Sequence, residues 1–471
     1  MRERDLPMMI RMLSAAKPLA RPRTAAWAAG RALLRAAAVL AVALAFWPSA
    51  RTWAAPQNEP GLDSLTVEQA VGLALANHPA VVAAQEALQA AEARIETSRS
   101  PFYPDVSFGG SYARIAPVPE FVIPGLGSEK LAPDNNYDIY LGVRQLVYDF
   151  GRTEASVDLA RSGRNAAADH VDQVKFNLAY RTISVFNSIL ILRAAVGVLE
   201  DQIRDLGQHL DVSRKKVRAG TATDFDVLTT RVRIAAAEND LIDAATGLDA
   251  QEIAFRQLTG LPDGASFGIR GEFTRRPVEL DSSVAVAAAF ERRPEIVGAQ
   301  DAERSAALQV RLVSLGDRPS VGVSLNSGFM NGYPDNLNQL KANYAAGVHI
   351  QVPVFNGFRT RNMRLEAEAN LRSVSARTED LRRQVSAEVN QAISRTRAAW
   401  EKTLNAEVLV RQAEDAVSMA EIKYQAGVAT NLDVLDAETT LTQARLTHLR
   451  ALYAYSISLV EFDRATGRRV W

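Results

Sequence analysis

The sequence predicts a mainly α-helical fold with a small transmembrane β part, built as two copies of a long-helix hairpin carrying two strands each. Three observations predict it. The chain repeats itself: KVRAGTATDFDVL (Lys216–Leu228) returns as KYQAGVATNLDVL (Lys423–Leu435), 207 residues later. Phe358–Ala426 contains neither Gly nor Pro over 69 residues, and its counterpart Arg152–Ala219 has no Pro. Four segments of about ten residues alternate apolar with polar or small side chains, and a tilted membrane strand needs ~9–11 residues.

The repeat spans nearly the whole chain. Tyr148-Asp149 with Arg152 returns as Phe355-Asn356 with Arg359, and Leu258-Thr259-Gly260 as Ala465-Thr466-Gly467, at the same offset. Upstream the offset is 215: His78-Pro79 matches Arg293-Pro294, and Tyr103-Pro104 matches Arg318-Pro319. The first copy therefore holds eight more residues between Pro104 and Tyr148. Solenoid units run ~20–50 residues, so this is a duplicated domain. The expected division is a signal peptide over 1–54, a first copy over 55–270 and a second over 271–471.

Each copy reads in the same order. A helix-rich stretch (Thr66–Ser100; Ser283–Leu315) is interrupted by a proline (Pro79; Pro294), which predicts a short helix followed by a longer one. Two strands follow, at about 104–114 and 137–148, then 319–330 and 343–354. Val106, Phe108, Ile139, Leu141 and Val143 share one face in the first pair; Val321, Val323, Leu325, Val348 and Ile350 do so in the second. A very long helix comes next, at about 152–219 and 358–426, roughly 100 Å if continuous. Leu381, Val385, Val389, Ile393, Trp400, Leu404 and Val408 mark one apolar stripe along the second of these. A turn at Gly220 or Gly427 suits a helix C-terminus. A shorter helix then returns, at about 223–259 and 430–465. The return helix is half as long as its partner, so the proline-started helix must stack end to end with it to match the long one. Such an assembly buries little alone and needs copies from other chains.

Composition narrows the function. There are 471 residues, equal numbers of basic and acidic side chains and no cysteine. Zero net charge leaves no electrostatic footprint for nucleic acid. Lack of cysteine excludes disulfides, thiolate metal sites and an acylated N-terminal cysteine. Residues 1–54 hold nine basic and two acidic residues, an apolar run at Ala36–Trp47 and small residues at Thr52 and Ala54. That is the pattern of a secretory signal cleaved after Ala54, and twelve apolar residues are too few for a spanning helix of ~20. Without that segment the chain carries 45 basic and 52 acidic residues. Enzyme chemistry finds no footing. The five histidines (His78, His170, His209, His349, His448) form no ligand pair, and no phosphate-binding loop, nucleophile elbow or dinucleotide fingerprint is present. No cofactor is implied.

The order and duplication of these motifs resemble the TolC family of outer-membrane ducts. LTVEQAVGLALANHP (Leu65–Pro79) resembles its N-terminal helix and YPDVSFGGSY (Tyr103–Tyr112) its first strand. VYDFGR (Val147–Arg152) and VFNGFR (Val354–Arg359) resemble its strand-to-helix junctions, and the two repeated segments its periplasmic hairpin tips. The resemblance implies a homotrimeric α/β barrel in the Gram-negative outer membrane, continued by a helical tunnel in the periplasm. It implies docking to a periplasmic adaptor (membrane fusion) protein and an inner-membrane RND or ABC transporter. It implies export of drugs, solutes or, by type I secretion, proteins, without catalysis. Ile115–Asn136 and Asn331–Ala342 would be extracellular loops, and Phe267–Phe273 would join an equatorial collar.

The family's periplasmic entrance is constricted by a tyrosine before the tip glycine and two carboxylates after it. The matching residues are Tyr424, Asp433 and Asp436, with Gly220, Thr223, Asp226, Gly427 and Thr430 shaping the tips. Capping is the competing role for Asp433 and Asp226, each three residues after a threonine; it does not extend to Asp436. The family's locking arginine is replaced by Ala429. Only Met330, Met363 and Met419 could offer soft ligands beyond the signal segment, which disfavours a copper or silver route. The alternative reading is a periplasmic coiled-coil adaptor or scaffold, which shares the export signal and long helices but needs no membrane-length strands.

Overall fold

The computed structural model describes residues 64–123, 125, 127–273, 277–278 and 280–470. The expected signal peptide and cleavage after Ala54 lie outside the described residues. Helix α1 (Val67–Asn77) starts at Thr66, whose hydroxyl accepts from Gln69 N while the Gln69 side chain accepts from Thr66 N. That exchange satisfies two orphan amides of the first turn. Pro79 cannot continue the helix. It opens α2 (Pro79–Arg99) at the first-turn position a proline tolerates, capped by His78 Nδ1. After a 3-10 turn come β1 (Asp105–Arg114), β2 (Glu120–Ile123), β3 (Gly127–Lys130) and β4 (Asn135–Tyr148). Helices α3 (Arg152–Arg218) and α4 (Asp224–Thr259) complete the first copy.

The second copy repeats this without the small hairpin: α5 (Ser282–Arg292), α6 (Pro294–Ser314), β5 (Ser320–Met330), β6 (Lys341–Gln351), α7 (Arg359–Gln425) and α8 (Asn431–Ala465). The β2–β3 hairpin within Ile115–Asn136 was not predicted; it carries the first copy's extra length. β6 stops at Gln351, short of the predicted end, because Pro353 has no N–H to donate to a ladder.

β1, β4, β5 and β6 form one antiparallel sheet in that order, so the copies join through β4 and β5. The register puts Val106, Val143 and Leu325 in one row, and Phe108 beside Leu141 in the next. This apolar face is bare: Phe108 is 75% exposed and Val348 71%. The opposite face carries Ser107, Gly109, Gly142, Arg144, Ser324, Asn326 and His349. Its glycines make room there, the Tyr140 ring lying across Gly109 and the His349 ring across Gly322. β1 and β6 are open edges.

The helices follow the strands column by column. α2 and, further down, α4 pack on α3; α6 and α8 pack on α7 and also on α3. The order α2/α4, α3, α6/α8, α7 thus matches β1, β4, β5, β6. α3 and α7 have 67 residues each, ~100 Å, against ~32 Å for α2 and ~54 Å for α4. The short helices stack end to end. Asn77 Nδ2 donates to Thr259 O (3.1 Å) across the first junction. Leu65, Phe186, Ile189 and Phe255 pack beside it, and Phe267 stacks on Phe255 at 4.7 Å. Leu65 N donates to Gly268 O and Arg270 N to Leu65 O, both at 2.8 Å, tying the segment after α4 back to the start of the copy. In the second copy Ala289, Ile296, Val385, Val389 and Ala465 form the matching core.

Each junction turns on a glycine at the helix end. Gly260 (φ +73°) and Gly467 (φ +72°) adopt the left-handed conformation that closes a helix. A Cβ on Gly467 would stand 2.7 Å from Arg293 N. Gly220 has the same φ with open space around it. Gly220→Ala should cost ~1 kcal/mol, the left-handed penalty alone. Gly467→Ala should cost ~2–4 kcal/mol, because backbone must also move. Thermal unfolding of the two variants followed by circular dichroism checks the order; equal losses would contradict the close-packed junction.

Candidate functional site

The two hairpin tips lie at the far end of the long helices from the sheet. Both are built the same way. Gly220 N donates to Val217 O (3.0 Å) and Thr221 N to Lys216 O (2.9 Å); Gly427 and Val428 repeat this on Tyr424 and Lys423. Gly220 (φ +73°) and Gly427 (φ +77°) supply the turn. Thr223 and Thr430 then cap the return helices. Thr430 N donates to Asp433 Oδ2 (2.7 Å) while Asp433 N donates to Thr430 Oγ1 (3.3 Å), and Thr223 with Asp226 do the same. Hydrogen bonds from the Thr430 backbone and hydroxyl hold the Asp433 carboxyl below the usual carboxylate range.

Where the repeat breaks, the two tips interlock. Asn431, the first residue of α8, is buried and stands where the first copy has Asp224. Its Nδ2 donates to Asp226 O (3.2 Å) and Thr229 Oγ1 (3.2 Å) on α4. Its Oδ1 accepts from His209 Nε2 (2.6 Å) and Ser213 Oγ (3.3 Å) on α3. One amide therefore bridges both helices of the other hairpin. Tyr424, where the first copy has Val217, is also buried. Its hydroxyl lies 3.4 Å from Ser213 Oγ and its ring 5.2 Å from that of His209. Lys216 Nζ sits 3.8 Å over the same ring and donates to Tyr424 O. Asp436 Oδ1 lies 3.2 Å from an Arg233 nitrogen in an exposed pair. Ala429 contributes no side-chain link.

The predicted residues thus divide. Tyr424 and Asp436 each meet a partner on the other hairpin, whereas the carboxylate of Asp433 is occupied by its own cap. Sequence reading missed Asn431, His209, Ser213, Lys216 and Arg233. Loss of repeat symmetry at 217/424 and 224/431 was the available signal. No cluster of three or more metal-ligating side chains occurs among the described residues.

Higher in the same seam, Leu206, Ala237 and Leu435 close a small apolar contact. Beyond it Glu438 is buried on α8. Desolvation pushes its carboxyl up to about 7, with help from Asp205 on α3 and Glu421 on α7; Arg445 acts in the other direction. A carboxyl whose folded pKa is raised binds its proton more tightly when folded. Its contribution is favourable at low pH and is lost as pH rises through about 7. Amide exchange at the tips should therefore quicken between pH 5 and 8 after correction for intrinsic rates. Glu438→Gln should abolish that rise, and a rise that persists would contradict the seam's dependence on this proton.

A model of the family described as outer membrane efflux protein matches residues 70–261 and 285–468. Protein CyaE of Bordetella pertussis is 26% identical over 417 residues, covering 86% of this chain and 84% of that protein. Outer membrane protein TolC of Escherichia coli is 22% identical over 398 residues, 80% and 77% of the two chains. The crystal structure of the outer membrane protein VceC from Vibrio cholerae superposes with a TM-score of 0.70 at 20% identity, over 85% of this chain and 96% of that one.

Proposed function

The chain belongs to the outer membrane efflux protein family, and on that premise we propose how its two copies build a duct and where the duct closes. It is an outer-membrane channel for efflux or secretion and catalyses nothing. The observation that carries the architecture is the four-stranded sheet, bare on its apolar face and open at both edges. In hydrocarbon every unpaired N–H and C=O costs several kcal/mol, so the edges must be closed by other copies. β1 belongs to the first copy and β6 to the second, so closure runs head to tail, the geometry that generates a ring.

The helices repeat the instruction. On α4, Leu228, Val232 and Ile242 form an exposed apolar stripe away from its own packing face. On α7, Ile422, Met419, Val408 and Leu404 form another. Counted from the tip, both stripes occupy the same heights. The first-copy column of one protomer therefore lies against the second-copy column of the next. Three protomers, as the family implies, give twelve strands in the outer membrane and a helical tunnel in the periplasm. Its partners are a periplasmic adaptor and an inner-membrane RND or ABC transporter. A periplasmic adaptor or scaffold would have no use for a four-stranded sheet of membrane length. The protein should fractionate with outer membranes and migrate in detergent as a heat-modifiable trimer; recovery as a soluble periplasmic monomer would overturn the duct.

The tips are the gate in this reading. Three copies of Asp433 and Asp436 around one axis would attract cations. Asn431 and Tyr424, in contact with His209, Ser213 and Lys216, tie the two hairpins of one protomer together where Ala429 offers no polar link. Asp433→Ala with Asp436→Ala should weaken divalent-cation block in planar bilayers, on the order of tenfold. Unchanged conductance and block would sink the gate assignment.

A further inference from the structure

The apolar face of the sheet ends at Val147 and Tyr148, four residues before α3 begins. The linking segment holds Phe150 at φ +58° beside Gly151 at φ +85°. The second copy has Gly357 at φ +66° and Phe358 at φ +63° in the same place. A left-handed non-glycine residue costs ~1–2 kcal/mol, and both phenylalanines are exposed against a neighbouring ring, Tyr148 at 4.6 Å and Phe355 at 5.3 Å. Aromatic rings clustered where an apolar sheet ends, with the hydroxyl of Tyr148 among them, mark the level where hydrocarbon meets headgroups.

Just below that level the first copy has a pocket of about 340 Å³ between α2 and α3. Arg99, Phe102, Val147, Tyr148, Glu154 and Arg161 line it. Tyr148 shares the sheet face of Val321 and Ile350, the apolar one, so the pocket opens beside the lipid-facing surface. Among the described residues the two guanidiniums are held only by exposed pairs within their own helices, Arg99 with Glu96 (2.8 Å) and Arg161 with Asp158 (3.2 Å). Such pairs contribute ~0–1 kcal/mol and yield readily. Asp158 has a second partner in Arg311 (3.6 Å), so releasing Arg161 does not strand it. Glu154 is exposed and makes no ion pair or hydrogen bond among the described residues.

Asp149 also lines the pocket, its carboxylate taken up by Gly151 N and by the amide and hydroxyl of Thr153. Two forked cations and one free carboxylate beside an apolar rim match a phosphate that bears an ammonium group and acyl chains. The second copy cannot do this. At its matching positions Arg99 becomes Ser314, Phe102 becomes Asp317, Glu154 becomes Arg361 and Arg161 becomes Glu368. Membrane contact is common to both copies, so this difference separates a site from a generic basic rim.

We propose that the pocket between α2 and α3 binds the headgroup of a phosphoethanolamine lipid from the periplasmic leaflet, one per protomer. Arg99 and Arg161 take the phosphate, Glu154 takes the ammonium, and Phe102, Val147 and Tyr148 meet the first acyl carbons. This rests on the outer-membrane reading above.

The test is native mass spectrometry of the full-length protein, delipidated in detergent and titrated with dioleoyl phosphatidylethanolamine. Obtaining a trimer is the prior condition, and its failure would count against the duct rather than the lipid site. On the trimer, three lipids should be retained. Arg99→Ala with Arg161→Ala should weaken retention about tenfold, equivalent to ~1.4 kcal/mol. Glu154→Gln should remove the preference over dioleoyl phosphatidylglycerol while leaving the trimer intact. As a control, Arg361→Ala in the second copy should change neither. Equal retention by wild type and the double-arginine variant, or no preference for the ethanolamine lipid in the wild type, would overturn the proposal. So would displacement of the lipid by an equal concentration of soluble phosphorylethanolamine, because the apolar rim would then contribute nothing.

Discussion

Two unpaired strand edges dominate this molecule. β1 and β6 each present a row of backbone donors and acceptors that hydrocarbon cannot satisfy. Because the edges come from different copies of the duplication, only a head-to-tail ring satisfies both at once. The rest follows in register. Each strand leads into or out of a helix in the same column, so closing the barrel also sets α4 of one protomer beside α7 of the next. The apolar stripes on those helices, exposed in a single chain, are the tunnel's share of the same contact.

The duplication supplies a scaffold, and its exceptions supply the contacts between the two hairpins. Junctions, caps and turns are conserved between the copies because they answer identical backbone problems: Gly260 and Gly467 close packed helix ends, and Thr223 and Thr430 cap return helices. On the second hairpin Asn431, Tyr424 and Asp436, which have no identical counterpart in the first copy, meet the other hairpin. Arg99, Glu154 and Arg161 likewise occur in one copy only.

Much of the fold was legible. Period two in the strands, long runs without Gly or Pro, and proline at helix starts are local signals, and duplication let each be read twice. The β2–β3 hairpin was not legible, because four-residue strands carry too little alternation to stand out from a loop. The Asn431–His209 contact joins residues 222 apart and has no local signature. Asp433 was seen in both possible roles from sequence; the structure adds that its carboxylate is engaged by Thr430, which the Thr-x-x-Asp spacing allowed but could not rank against the axis.

The head-to-tail ring is the central claim, and inter-protomer crosslinking tests it most directly. The chain has no cysteine, so a designed pair reports alone. Ile242 on α4 and Val408 on α7 both lie about 27 Å from the tip along their helices. Ile242→Cys combined with Val408→Cys should oxidise to a covalent trimer resistant to denaturation, whereas either substitution alone should leave monomers. Intrachain oxidation or a species limited to dimers would contradict a closed ring in which the first copy of each protomer meets the second copy of the next.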